Sequence, residues 1–302
     1  MSKEAAASHS NSEGFVEAPP RVSEFQRLVR VFLKRKVALF GLIVIAAFLM
    51  TAIFANQIAP YDPYKNNLSD SLLQPSKAHL LGTDSLGRDI LSRIIYGTRT
   101  ALMVGVISLF IASALGVSLG LVAGFFGGLT YTIIMRFIDS LMSFPMILLA
   151  LVLAALLGGG IRNVMIAIGI ALMSVYARLM CGQVLTIKQN DYIVASKAIG
   201  SSNMRIMWRH LFPNCFPPLI VLVTMQMGSA ILTEAGLSFL GIGIEPPGAA
   251  WGAMVNNGYN FLLTHPWISI APGVAIMLVV FSFNMVGDGL RDALDPRLRG
   301  ML

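Results

Sequence analysis

Six apolar runs divide this chain, at roughly 37–58, 100–126, 133–157, 164–185, 211–240 and 267–290. Each is near or above the ~20 residues that cross the hydrocarbon of a bilayer. Inside lipid every backbone N–H and C=O must find its partner within the protein, so runs of this length become helices. The expected fold class is an all-α membrane protein with six transmembrane helices. Composition agrees: 56% of residues are hydrophobic and 12% charged, where a soluble domain carries about 25% charged residues.

The net charge of +7 suggests nucleic acid in a soluble chain. Here the basic residues flank apolar runs, so the partner is the lipid bilayer and no nucleic acid is expected. With the N-terminus placed in the cytoplasm, sixteen Lys and Arg fall inside and six outside. That bias predicts cytoplasmic termini, with 59–99 and 241–266 outside. The expected organisation is a cytoplasmic N-terminal segment (1–36), a first transmembrane helix (37–58), an extracytoplasmic loop (59–99), a core of five further spans (100–290) and a cytoplasmic tail (291–302). The first run follows 36 residues and has no small-residue cleavage site, so it reads as a retained anchor. Residues 1–20 are Ala/Ser/Glu-rich and expected to be disordered. Residues 22–36 alternate basic and apolar side chains and are expected to form a surface amphipathic helix.

Within the runs, Gly116, Gly120, Gly124 and Gly128 recur every four residues, which puts them on one helical face and predicts close helix packing. Arg136 and Asp139 lie three apart, the spacing of an intrahelical pair, and Pro145 is expected to kink or loosen the third span. Glu234 lies deep in the fifth span and should face the bundle, a partner or a watery path. With Ser174, Gln226 and Asn284 it forms the candidate translocation path. Cys181 and Cys215 read as buried, unreactive thiols.

Catalytic patterns are missing. The sequence holds no GxxxxGK[ST] phosphate loop, no HExxH and no GxSxG elbow. No metal-ligand spacing occurs, and the reading is of a non-enzyme without a cofactor of its own. A secondary transporter would call for inverted repeats and broken half-helices, and no internal repeat is visible.

The most informative stretch is "DYIVASKAIGSSNMRIMWRHLFPN", residues 191–214, a charged interruption between two apolar runs. Asn190 and Asp191 suit a helix start near Tyr192. Val194, Ala198 and Ile187 share one face, with Tyr192, Ala195 and Ile199 beside them. Gly200 ends that helix. Ser202 opens a second short helix through Arg209, and Pro213 opens the next span. Such an ordered inner loop, 186–210, suits docking to a cytoplasmic protein.

This stretch resembles the coupling loop of ABC importer permeases: Glu-Ala-Ala, a glycine a few residues on, then Leu-Pro. Ala195 and Ser196 stand for the two alanines, Gly200 for the glycine and Phe212-Pro213 for the Leu-Pro, while Val194 replaces the glutamate. "LGTDSLGRDILSRIIYGTRTAL" (81–102), "LSFLGIGIEPPGAAWGAMV" (237–255) and "FNMVGDGLRDALDPRLRG" (283–300) are similar to segments of the C-type subunit of dipeptide/oligopeptide/nickel/glutathione importers. The resemblance implies the type I importer permease fold with a cytoplasmic coupling helix, in a bacterial inner membrane. It implies a second, B-type permease, two ATPase subunits that bind ATP and Mg, and an extracytoplasmic binding protein. Tyr192, Val194, Ala195, Ser196, Lys197, Ala198, Gly200, Ser201, Arg205 and Pro213 would then serve ATPase coupling. Peptides are the expected cargo, since none of the four histidines lies in a span; nickel complexes or glutathione are the alternatives.

Overall fold

The computed structural model describes residues 24–244 and 247–294. The segment read as disordered (1–20) and most of the C-terminal tail lie outside these residues. Helix α1 (Glu24–Lys34) precedes α2 (Lys36–Ile53), and the short α3 (Ala55–Ile58) ends the first crossing. Helix α1 is the expected amphipathic segment. Its Phe32 packs against Gly289, and Arg35, just beyond its end, pairs with Asp292 near the end of the last helix.

The second crossing, α4 (Ile90–Phe126), starts ten residues earlier than the hydropathy boundary. The cause is local. Asp89 accepts hydrogen bonds from the backbone N–H and hydroxyl of Ser92, capping the helix inside what reads as loop. Arg93 is taken into the helix although charged, because its charge is used: Nη1 donates to the Pro63 carbonyl at 2.9 Å and Nη2 to that of Gly248 at 3.3 Å.

Helix α4 packs on α7 (Gly160–Ile187). A Cβ on Gly116 would strike the Met173 carbonyl, one on Gly120 the Ala177 carbonyl, and one on Gly124 would lie 2.8 Å from the Val184 side chain. Three of the four ladder glycines therefore do what their spacing predicts, with Ala112 also buried. Gly128 does not. With Gly127 it forms the turn after α4, at φ +51° with nothing near its Cβ position. The helix has ended, so the four-residue spacing no longer defines a face.

Contacts along α4 and α7 rise together in number, so the two helices run parallel. The chain must therefore recross the bilayer between them. It does so as a broken span, α5 (Gly128–Met142) and α6 (Met146–Leu156), bent by 93°. The third span expected over 133–157, with a kink or loosening at Pro145, is thus two helices that begin at Gly128 and meet at a sharp break. Pro145 cannot donate a hydrogen bond and disfavours α-helical backbone before it. It sits at the N-cap of α6 with extended geometry (ψ 129°), and the break is a corner rather than a kink.

Next come α8 (Asp191–Ala198), α9 (Asn203–Arg205), a π-turn at 206–211 and α10 (Phe212–Phe239); then α11 (Trp251–Tyr259) and α12 (Trp267–Leu294). Helix α10 is antiparallel to α12, with Gly228 beside Val280 and Gly287 beside Met225. Helix α2 is antiparallel to α12 through Gly41 beside Ser282. With six crossings, both described ends and the 188–211 segment share one side. The 59–89 loop and α11 lie on the other, where Trp251 Nε1 of α11 donates to the Ile94 carbonyl of α4 and packs on Gly97.

Candidate functional site

The segment between α7 and α10 is ordered by a few specific contacts. Lys188 Nζ donates to the Phe125 carbonyl at 2.6 Å, at the C-terminus of α4, where the helix dipole favours a cation. Lys197 Nζ lies 5.2 Å from the Phe125 ring centroid, within cation–π range. Ile193 is fully buried and Ser196 nearly so, on the side where α8 packs beneath the π-turn that carries buried Ile206, Met207 and Leu211. Asn214 Nδ2 reaches the Tyr192 hydroxyl at 3.3 Å, tying α8 to the first turn of α10.

Gly200 turns the chain at φ +81°, with nothing within 4 Å of a Cβ position. The left-handed backbone, not lack of room, selects glycine here. Ser202 then caps α9, its hydroxyl accepting from the Arg205 N–H. Both signals behave as the sequence suggests. The face assignment on α8 is different. Ile193 and Ser196 point inward, while Tyr192, Val194, Ala195, Lys197, Ala198 and Ile199 are exposed. Ile199 (83% exposed), Val194 and Met204 are exposed apolar residues on either side of the Gly200 bend, which we call the tip, and Arg205 follows Met204 in sequence. The turn against which α8 packs is not visible in its own periodicity, so the grouping of residues by face does not single out Ile193 and Ser196 as the buried pair.

The second short helix is not separate either. Residues 203–239 form one continuous rod through the π-turn, and exposed Pro213 sits in the first turn of α10 rather than breaking the chain. A proline in the first turn has no α-helical acceptor to serve, and the preceding turn widens instead. Exposed Met204 is thus rigidly joined to a membrane span, and α8 packs on the same rod across the Gly200 bend.

The candidate path residues do not share one surface. Ser174 and Glu234 are buried within the chain; Glu234 accepts a hydrogen bond from Ser238 at 2.6 Å, and Ser174 donates to the Ala171 carbonyl. Gln226 is half-buried. Asn284 faces an open groove of about 300 Å³ with Leu232, Met277 and Phe281. Arg136 does not pair with Asp139; Arg178 of α7 does. The broken span tilts α5 against α7 and brings a partner from the next element, which sequence spacing within one helix cannot reveal. Arg178 was the missed residue, and its position within an apolar run was the available signal. Both cysteines are buried.

A six-crossing helical bundle that carries an ordered, apolar-tipped segment fused to one of its spans defines an integral membrane subunit of the transporter class. Residues 116–300 match the family described as binding-protein-dependent transport system inner membrane component. Residues 23–75 match the N-terminal transmembrane domain of oligopeptide transport permease C. The chain is 41% identical to the dipeptide transport system permease protein of Alkalihalophilus pseudofirmus, over 92% of this chain and 91% of that protein. It is 42% identical to the glutathione transport system permease protein of Pectobacterium atrosepticum, over 89% and 90%. A chain of the inward-facing methionine ABC transporter MetNI shares the fold, with a TM-score of 0.56 at 18% identity, covering 68% of this chain and 98% of that one. The chain belongs to the binding-protein-dependent transport system inner membrane component family, as a permease of the ABC importer type.

Proposed function

We propose that this chain forms half of the membrane pore of an ATP-driven importer for short peptides, beside a second permease and above two cytoplasmic ATPase subunits. ATP and Mg belong to those subunits, and this chain contributes no catalytic residue and no cofactor. Both termini and the 188–211 segment are cytoplasmic, and an extracytoplasmic binding protein delivers cargo to the side of α11. One observation carries the reading: exposed Met204 lies on the rod 203–239 that continues as α10, and α8, which carries exposed Val194 and ends next to exposed Ile199, packs on the π-turn of that rod. A cleft that grips this tip and closes on ATP moves a whole span, switching the paired bundles by rigid-body motion.

The relatives named for dipeptides and glutathione favour cargo with free amino and carboxyl termini, and nickel complexes are the weaker alternative. The deciding experiment is reconstitution of the full complex with its binding protein in liposomes. Stimulation of ATPase activity by di- and oligopeptides is the expected result. Stimulation by glutathione alone or chelated nickel alone would reassign the cargo, and no association with ATPase subunits would overturn the reading.

A further inference from the structure

The ion pair between Asp139 and Arg178 is in an unusual place. Arg178 lies about 7 Å from the midpoint of α7 by residue count, and a helix centred on the bilayer holds it inside a hydrocarbon half-thickness of about 15 Å. Yet the two side chains are 49% and 52% exposed. Charges at this depth do not face lipid; they face a watery cavity or another protein. Arg136, one turn before Asp139, is also exposed and makes no ion pair among the described residues. Ser140 and Ser143 continue the same polar surface to the corner at Pro145, their hydroxyls donating to the Arg136 and Ser140 carbonyls. The surface thus carries one carboxylate, two guanidiniums and two hydroxyls in an otherwise apolar bundle.

We propose that Asp139, Arg178 and Arg136 form a transient site for the charged termini of a peptide as it crosses, resting on the peptide-importer reading above. Arginine presents a planar fork that fits a carboxylate, and Asp139 accepts hydrogen bonds from an ammonium. A zwitterionic peptide can exchange partners with the resting pair, its carboxylate taking Arg178 and its ammonium Asp139. Desolvation of the termini in the membrane is then offset without tight binding. The unpaired Arg136 gives the surface an excess positive charge, so the carboxylate is the more strongly read terminus.

The test uses the reconstituted importer with a dipeptide, its C-terminal amide and its N-acetyl form. Each is supplied at saturation of the binding protein, so that delivery does not limit the comparison. The wild type is expected to import the free dipeptide at least tenfold faster than the amide. Arg178→Gln should bring that ratio near one by loss of free-peptide uptake, and the exchange of Asp139→Arg with Arg178→Asp should not restore it. Restoration of uptake for all three peptides by the exchange would show a structural or subunit-interface pair and overturn the proposal. Should Arg178→Gln fail to accumulate, Arg136→Gln decides: it disturbs no pair, and it should lower the ratio at least threefold. An unchanged ratio overturns the proposal. A wild-type complex that imports no peptide in any form refutes the cargo reading instead.

Discussion

Gly120 of α4 lies against the backbone carbonyl of Ala177 in α7, closely enough that a Cβ would overlap it. Lipid tails give no hydrophobic drive for helix pairing, so contact of this closeness is what joins spans. Gly120→Val is expected to separate α4 from α7 and lower the detergent melting temperature by several degrees, since overpacking costs about 1–3 kcal/mol. Gly182→Ala, on α7 with open space around it, should be neutral or slightly stabilising. Thermal melts of the two purified proteins check the contrast. Equal effects would remove the packing account.

The same parallel pairing of α4 and α7 fixes the number of crossings. Because α5 and α6 must return across the bilayer, the 59–89 loop and the α8–α9 segment face opposite sides. Single cysteines at Lys77 and Met204, both exposed, in an otherwise cysteine-free chain should react with impermeant maleimide from opposite faces of inverted and right-side-out vesicles. Labelling of both from one side would mean that the broken span re-enters instead of crossing.

Much of this arrangement is legible in the residues. Four runs become single helices, Gly200 and Ser202 act as turn and cap, and Gly116, Gly120 and Gly124 pack as their spacing requires. What was not legible depends on partners from elsewhere in the chain. Helix α4 can carry the buried charge of Arg93 in its first turns because Pro63 and Gly248 supply carbonyls to it. Asp139 is paired by Arg178 because the corner at Pro145 tilts α5. Ser174 and Glu234 look like path residues by polarity, but burial turns them inward. Hydropathy reports distance from water; it does not report which neighbour satisfies a charge.

Arg93 holds the outer side together. Besides the two carbonyls, its Nε lies 3.8 Å from Asp84, at ion-pair distance but too far for a hydrogen bond. Arg93→Leu should leave Asp84 with Arg88 alone and unpair the Pro63 and Gly248 carbonyls. Removing one member of a buried charge network costs about 3–5 kcal/mol. The expected outcome is faster proteolysis within 241–266 and low membrane levels, with Arg93→Lys rescuing little because one ammonium cannot reach the spread acceptors. Wild-type protease resistance in Arg93→Leu would rule this out.

The last prediction separates docking from bending at the coupling segment. Gly200 has room for a side chain but sits at φ +81°, where a β-branched residue pays backbone strain of about 1–2 kcal/mol. Gly200→Val is therefore expected to reach the membrane at normal levels, bind ATPase subunits and lose uptake, because α8 is re-aimed relative to α9 and the rod of α10. Gly200→Asn, which tolerates left-handed backbone better, should recover much of the uptake. Ile199→Asp with Met204→Asp acts differently: the bend is kept but the apolar tip is charged, so ATPase subunits should fail to co-purify. Uptake by the complex and co-purification are read on the same preparations. If Gly200→Val transports normally, the bend does not set the coupling geometry; if the double aspartate variant still retains ATPase subunits, the tip is not the docking surface. The two variants thus test separate links, the grip and the lever, in one transmission from the ATPase to the span.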